Sequence, residues 1–170
     1  TSRKSVDCIV VEAFGNVLSI STKGQASIAQ SSGEAELGAL HRCALKMVGI
    51  QNFVHEVWGT SCGITLCTDS SAAKVMAVRR GCGKVRHLEI RQLYLQQLTN
   101  GGRIQVQKVE GSKNKADVGT KPHGNNSYDK FRAMLQVLGN DTSIKVKSEI
   151  HSPTGDTSRK ALATAVIAAL

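Results

Sequence analysis

The chain has 170 residues, enough for one domain with a substantial core, and 41% of them are hydrophobic although only 4% are aromatic. Its formal charge of +9 lies in residues 79–170, where sixteen Lys and Arg face seven Asp and Glu, whereas residues 1–78 carry six of each. This asymmetry indicates a polyanionic partner such as a nucleic acid, the alternative being a basic surface that only keeps the protein soluble. The sequence shows neither a signal peptide nor an apolar run long enough to span a bilayer, which predicts an intracellular protein of the cytoplasm or nucleus without a membrane partner.

The first part of the chain predicts a β-hairpin followed by a helix. Residues 7–13 and 17–21 are rich in Val, Ile and small residues, and residues 14–16 (Phe-Gly-Asn) lie between them as a turn. Ser31 and Glu34 have the spacing of a capping box, so we expect a helix to begin near Ser31 and to continue on the helical period of the apolar residues that follow.

Strands and helices alternate in the middle of the chain. Residues 64–68 form a short β-branched run, and residues 70–78 have the pattern of a serine-capped helix. Residues 87–98 predict another helix, and residues 103–109 alternate between apolar and polar side chains as in a strand. This order predicts an α/β domain with a mixed or parallel sheet covered by helices.

The end of the chain carries weaker signals. We expect a short helix at residues 116–120 and an amphipathic helix at residues 128–138. Beyond residue 139 the sequence becomes polar and aperiodic. We therefore expect one domain over residues 1–139 and a flexible tail over residues 140–170.

Three acidic residues stand where catalytic carboxylates are often found. Asp69 directly follows a buried-looking strand, Glu36 lies in the first turns of the long helix, and Asp117 begins a short helix after a Lys-rich loop. If the three converge, their mutual repulsion requires cations, and Mg²⁺ suits an oxygen cage beside phosphate. Each acid, taken alone, is equally well explained as a residue that favours the start of a helix.

Four short segments carry the most specific signal. The sequence has SSGEAE at residues 31–36, TDSSA at 68–72, KVRHLEIR at 84–91 and ADVGTKP at 116–122. In this order they resemble the segments S-S-T-E-A-E, C-D-N-Q-S-A, R-T-K-H-I-D-I-R and A-D-I-L-T-K-P of the ribonuclease H domain of copia-type LTR retrotransposon Pol polyproteins. The resemblance spans about residues 3–138.

This resemblance implies a fold and a reaction. The fold would be a ribonuclease H-like mixed sheet of five strands flanked by helices, and the reaction would be hydrolysis of the RNA strand of an RNA–DNA hybrid. Two Mg²⁺ ions about 4 Å apart would activate water and stabilise the leaving oxygen. Glu36, Asp69 and Asp117 match the second, third and fourth acids of the family's metal-binding, catalytic set. A reverse transcriptase segment upstream in the same polyprotein is the implied protein partner.

One departure from the family affects both fold and activity. In the family, the first acid of the set lies on the first strand. Residues 3–5 (RKS) resemble the segment that follows that strand, so we expect the strand and its Asp upstream of Thr1. Asp7 is a poor substitute because it opens the next strand. The missing strand is central and its acid bridges both metals, so we expect exposed strand edges and impaired catalysis. Either an upstream segment supplies the strand or the chain is a degenerate remnant. Residues 161–170 are the least favoured candidate for the position of the missing strand in the sheet.

Basic residues near these motifs are candidates for contacts with the phosphates of a hybrid, which is recognised mainly by shape, 2′-hydroxyls and phosphates. The candidates are Arg79, Arg80, Lys84, Arg86, Lys113 and Lys115. His87 either orients a phosphate or simply starts a helix.

The sequence is open to two alternative interpretations, one for its cysteines and one for the chain as a whole. Cys62-x4-Cys67 followed by Cys82-x4-His87 is a loose zinc pattern, but Cys67 lies in an apolar strand where Cys usually acts as a small buried hydrophobe. For the chain as a whole, the alternative to an impaired ribonuclease H is a non-catalytic nucleic-acid-binding remnant of the same fold.

Overall fold

The structure, a computed structural model, describes residues 4–13, 16–81, 90–120 and 162–169. These residues form five strands, three α-helices and two short 3-10 helices. In chain order the elements are β1 (Val6–Ala13), β2 (Asn16–Gly24), α1 (Ser32–Trp58), β3 (Gly63–Thr68), α2 (Ser71–Val78), α3 (Ile90–Asn100), β4 (Ile104–Lys108), η1 (Gly111–Lys113), η2 (Lys115–Gly119) and β5 (Leu162–Ala169).

The predicted hairpin is confirmed. β1 and β2 pair antiparallel from Val6 with Gly24 to Ala13 with Asn16, and a bulge interrupts the register between Val11 and Glu12. β2 lies at the edge of the sheet and is half-exposed along its length. Of the three predicted turn residues, 14 and 15 lie outside the described residues, and Asn16 begins β2.

The long helix α1 begins as its sequence predicts. Ser31 is the N-cap, with extended backbone, and its Oγ accepts the backbone N–H of Glu34 at 3.2 Å. The Glu34 carboxylate accepts the N–H of Gln30 at 2.8 Å, one residue earlier than the capping box expects. The helix ends at Gly59, whose φ of 64° is the left-handed conformation that closes a helix with little strain when the residue is glycine.

The second half of the domain also follows the predicted order. β3 and β4 run parallel, in register from Ile64 with Ile104 to Thr68 with Lys108, and α2 and α3 connect them along the chain. The predicted helix at 116–120 is the 3-10 helix η2. The predicted helix at 128–138 lies outside the described residues, as do the first three residues of the helix predicted at 87–98.

The five strands form one mixed sheet in the order β2-β1-β5-β3-β4. β5 pairs antiparallel with β1, from Asp7 with Ala169 to Ala13 with Ala163. On its other side β5 runs parallel to β3. Without β5 the remaining strands would be two separate pairs, so the C-terminal segment joins the halves of the sheet.

This strand corrects two expectations. Residues 162–169 belong to the segment 140–170 that the sequence predicts to be a flexible tail, and they form the central strand instead. They also occupy the gap expected from a missing first strand, for which residues 161–170 were the least favoured occupant. The physical reason is backbone pairing: β1 and β3 each present a row of N–H and C=O groups that needs a partner, and an apolar extended segment satisfies both rows.

The core is aliphatic, as the composition predicts, and it lies mainly between the sheet and α1. Ile9 and Val11 of β1 pack into this cluster with Leu37 and Leu40 of α1. The alternate residues of β1 point to the opposite face, where Cys8 and Val10 pack with Ala116 of η2. Helix α1 and η2 therefore cover opposite faces of the sheet.

Candidate active site

Thr68 links two of the three candidate acids at one edge of the sheet. Glu36, in the first turns of α1, is 6% exposed, and its Oε2 accepts a hydrogen bond from Thr68 Oγ1 at 3.3 Å. Thr68 is the last residue of β3 and is fully buried. Since Asp69 follows it directly, Glu36 and Asp69 lie at the same end of β3.

Asp69 is held at the junction between β3 and α2. The N–H of Ser70 donates to Thr68 Oγ1 at 3.1 Å, and Ser70 in turn caps α2 by accepting the N–H of Ala73 at 3.2 Å. The half-buried Asp69 carboxylate approaches η1, where a Cβ built at Gly111 would lie 3.6 Å from its Oδ2. The acid therefore sits between the start of α2 and the loop that follows β4.

Asp117 belongs to η2, which covers the face of the sheet opposite α1. It is 6% exposed within η2, which packs on β1 and β5. An ion pair between Lys115 and Glu12 of β1 anchors the start of η2. Gly119 anchors its end, because a Cβ there would collide with the side chains of Cys8 and Thr22.

The three acids do not assemble the metal centre that the resemblance implies. Within the described ranges, no three His, Cys, Asp or Glu side chains lie close enough together to hold a metal ion. The strand beside Asp69 also brings no acid, since Leu162–Ala169 reads LATAVIAA. The described residues therefore do not fit two Mg²⁺ ions. The structure places Glu36 and Asp69 at the same end of β3 and places η2, with Asp117, on the face of the sheet opposite α1. The central strand β5 contains no carboxylate.

The predicted phosphate contacts are dispersed. Asn100, at the end of α3, donates to the Arg79 carbonyl at 3.5 Å. Arg79 and the exposed Arg80 therefore lie near the end of the sheet where β4 begins, away from Asp69. Lys113 is exposed and pairs with Glu110 at 3.2 Å, whereas Lys115 is engaged with Glu12. Lys84, Arg86 and His87 lie outside the described residues.

Sequence reasoning missed two polar residues at these sites. Lys108, the last residue of β4, donates from its Nζ to Ser71 Oγ at 2.6 Å. It therefore lies beside the end of β3 at which Glu36 and Asp69 are found, which we call the acidic edge. The feature that could have identified Lys108 is its position at the carboxyl end of a strand parallel to β3. Asn114 is fully buried and caps η2 by accepting the N–H of Ala116 at 3.1 Å. Its position two residues before the predicted short helix at 116–120 could have identified it as a cap.

The described cysteines behave as buried hydrophobic residues. Burial raises the pKa of the thiols of Cys8, Cys43 and Cys67, and Cys62 is buried as well. Cys67 thus has the structural role expected from its apolar strand. Cys82, like His87, lies outside the described residues, so the loose zinc pattern is represented here only by Cys62 and Cys67.

Comparison of the chain with models of protein families, with curated proteins and with solved structures found no match. The resemblance to copia-type ribonuclease H therefore rests on the four sequence motifs alone. None of the helices in the described ranges combines the length and apolar character needed to cross a membrane.

Proposed function

We propose that this chain is a ribonuclease H-like domain of copia-type retroelement origin that binds RNA–DNA hybrids through phosphate contacts, and that hydrolysis of the RNA strand is lost or strongly impaired in it. The single observation that carries the proposal is the sheet. Its five mixed strands flanked by helices agree with the implied fold, while its central strand contains no acid.

Binding is supported by charge and by the surfaces on which the charge lies. The whole net charge of +9 falls in residues 79–170, and the described part of that region exposes Arg80 and Lys113. Cations spread over such a surface suit a regularly spaced polyanion, for which contacts to phosphate and 2′-hydroxyl groups require little base recognition. A reverse transcriptase segment upstream in the same polyprotein is the protein partner that the resemblance implies.

Loss of cleavage is supported by the state of the acids. Glu36 is buried and bonded to Thr68, and Asp69 is near it, but Asp117 lies on the other face of the sheet. Two neighbouring carboxylates without a third ligand give a divalent cation a weak site, since such ions are held by several oxygen ligands at once. The geometry therefore favours a binding domain over a nuclease.

The experiment measures binding and cleavage on the same substrate. A labelled RNA–DNA hybrid and a DNA duplex of equal length are titrated with the full chain at several salt concentrations, and each mixture is then incubated with Mg²⁺ or Mn²⁺ and resolved on a gel. We expect tighter binding to the hybrid, affinity that falls steeply with salt, and intact RNA.

Two results would overturn parts of this proposal. Cleavage of the RNA strand that Asp69→Asn abolishes would assign hydrolysis to the chain and remove the claim of lost activity. Equal, salt-insensitive affinity for hybrid and DNA duplex would remove the claim of hybrid binding. Because Asp69→Asn conserves size and removes only charge, it also controls for contamination by a host nuclease.

A further inference from the structure

A cavity of about 240 Å³, lined by several charged and polar residues, lies beside the acidic edge and is not used by the site described above. It is enclosed by the start of β1, the end of β2, the loop after β2 and α1. The residues that define its chemistry are Asp7, Lys23, Gln25, Gly38, Arg42 and Gln92. Arg42 follows Glu36 by six residues of α1, which is a rise of about 9 Å along the helix axis.

With His41 of the lining counted as neutral, the cavity contains one more cation than anions. Asp7 is 2% exposed and forms an ion pair with Arg42. Burial raises the pKa of the Asp7 carboxyl, and the charges of Arg42 and Lys23 oppose that rise. With Asp7 and Arg42 balancing each other, the positive charge of Lys23 is left over.

The Arg42 guanidinium also retains hydrogen-bonding capacity. A guanidinium carries five N–H donors, and Arg42 donates from its Nη2 to Asp7. Its Nε is buried without a hydrogen-bond partner, so an incoming acceptor would be met by the terminal nitrogens. Its side chain is 31% exposed, so part of the planar fork is open to an incoming acceptor. The fixed fork of Arg and the point charge of Lys are the pair of groups that proteins use for phosphate oxygens.

The walls of the cavity are held by specific bonds. Gln25 donates its backbone N–H to the Ser5 carbonyl at 2.8 Å and its side-chain Nε2 to the Ala35 carbonyl at 2.7 Å. Its amide lies over Gly38, where a Cβ would come within 3.7 Å of it. The loop after β2 is therefore fixed to the beginning of α1, and the cavity is built before any ligand arrives.

We propose that this cavity, which we call the Lys23–Arg42 pocket, binds one backbone phosphate of the nucleic acid. The proposal rests on the proposed function, which supplies the polyanion. The pocket is lined by the same helix that carries Glu36, and Arg42 lies about 9 Å further along the axis of that helix. A phosphate held there fixes the register of the hybrid relative to Glu36 and Asp69.

The test compares two lysine variants of the full chain. Lys23→Gln removes the surplus charge of the pocket from an exposed position, and Lys46→Gln is the matched control, because Lys46 lies further along α1 and donates to Ser19 Oγ at 2.7 Å outside the pocket. We expect Lys23→Gln to weaken hybrid binding roughly fivefold to tenfold at low salt and to lower the salt slope by about 0.9, the value for one lost phosphate contact, and Lys46→Gln to leave both unchanged.

A second measurement examines the pocket without a nucleic acid. Inorganic phosphate is titrated into the full chain while the backbone amide resonances of Gly24, Gln25 and Gly38 are followed by NMR. We expect these resonances to shift in a saturable manner that Lys23→Gln abolishes. The pair Asp7→Asn with Arg42→Gln, changed together so that no buried charge is left alone, should have the same effect.

The outcomes separate this proposal from the proposed function. If the hybrid binds but Lys23→Gln and Lys46→Gln weaken binding equally, the pocket has no special role and the proposal fails while hybrid binding stands. If phosphate shifts the pocket resonances but no hybrid binds, the anion site stands and the proposed function fails. If the resonances do not respond and Lys23→Gln binds the hybrid like the parent chain, the pocket is not a phosphate site.

Discussion

Thr68 pairs with Ile167 at the end of the parallel ladder between β3 and β5. The next residues along the two strands are the acid Asp69 and Ala168. Ala168, a small apolar residue, therefore occupies the position beside Asp69 at which a central strand would have to carry a third carboxylate. This register connects the unexpected origin of β5 with the missing metal centre.

Substituting Ala168→Asp should supply the missing carboxylate. Because the register places residue 168 next to Asp69, we expect the variant to show saturable Mn²⁺ binding by isothermal titration calorimetry where the parent chain shows none. Ala168→Asn is the control of equal size without charge. Mn²⁺ binding that is the same in the parent, the Asp variant and the Asn variant would show that residue 168 is not beside the acids.

Thr68→Val should destabilise the fold at the junction of the acids. The variant loses the donor to Glu36 and the acceptor for the Ser70 N–H while keeping its volume, so we expect the free energy of unfolding to fall by about 1–3 kcal/mol in urea titrations. Thr68→Ser should restore most of this loss because it keeps the hydroxyl. Thr65→Val, on the same strand and also buried, serves as the control. Equal losses for the two valine variants would argue against a specific role for the Thr68 hydroxyl.

The two lysines around η1 and η2 should differ in what they do. Lys115→Met breaks the half-buried pair with Glu12, so we expect the free energy of unfolding to fall by about 1 kcal/mol with little change in the salt slope of hybrid binding. Lys113→Met, at an exposed position, should leave stability unchanged within about 0.5 kcal/mol and lower that slope by about 0.9. The reverse assignment of stability and binding effects would show that Lys115 contacts the phosphates.

The stability of the domain should decrease at high pH because of its buried thiols. Burial raises the pKa of Cys8, Cys43 and Cys67 above the ordinary value of 9.0. Below pH 9 these thiols are protonated in both states, whereas above pH 9 the unfolded chain releases protons that the folded chain retains, so the free energy of unfolding falls as pH rises. Urea titrations at pH 8 and pH 10 measure the fall.

The thiol prediction has its own control. Cys43→Ala removes one of the fully buried thiols, and the decrease between pH 8 and pH 10 should become smaller in this variant. A decrease of the same size with and without Cys43 would assign the pH dependence to other groups.

The parts of the fold that the sequence predicts are those set by local patterns. The hairpin follows from strand patterns separated by a turn, and α1 follows from the spacing of Ser31 and Glu34 and from its apolar period. The pairing of β3 with β4 follows from two short apolar strands linked by helices. The proximity of Glu36 and Asp69 could be anticipated for the same reason, since each acid has a fixed position relative to one of these elements.

The parts that the sequence does not predict depend on distant contacts. The segment LATAVIAA has too few polar residues to show a strand period, and its place between β1 and β3 is set by two unpaired edges that lie far from it in sequence. Asp117 follows the loop after β4, but the face on which it lies is decided by the contact between Lys115 and Glu12, which are 103 residues apart. Pairing of Asp7 with Arg42 likewise requires a tertiary contact that no local pattern encodes.

The central claim is that residues 162–169 form the middle strand of the sheet and bring no acid to the edge beside Asp69. Hydrogen exchange of the backbone amides of the unmodified chain measures this most directly. Because β5 pairs with both β1 and β3, we expect the amides near Val166 to be as strongly protected as those of Val10 and Leu66. Exchange near Val166 at the rate of an unfolded peptide, while Val10 and Leu66 remain protected, would contradict the account.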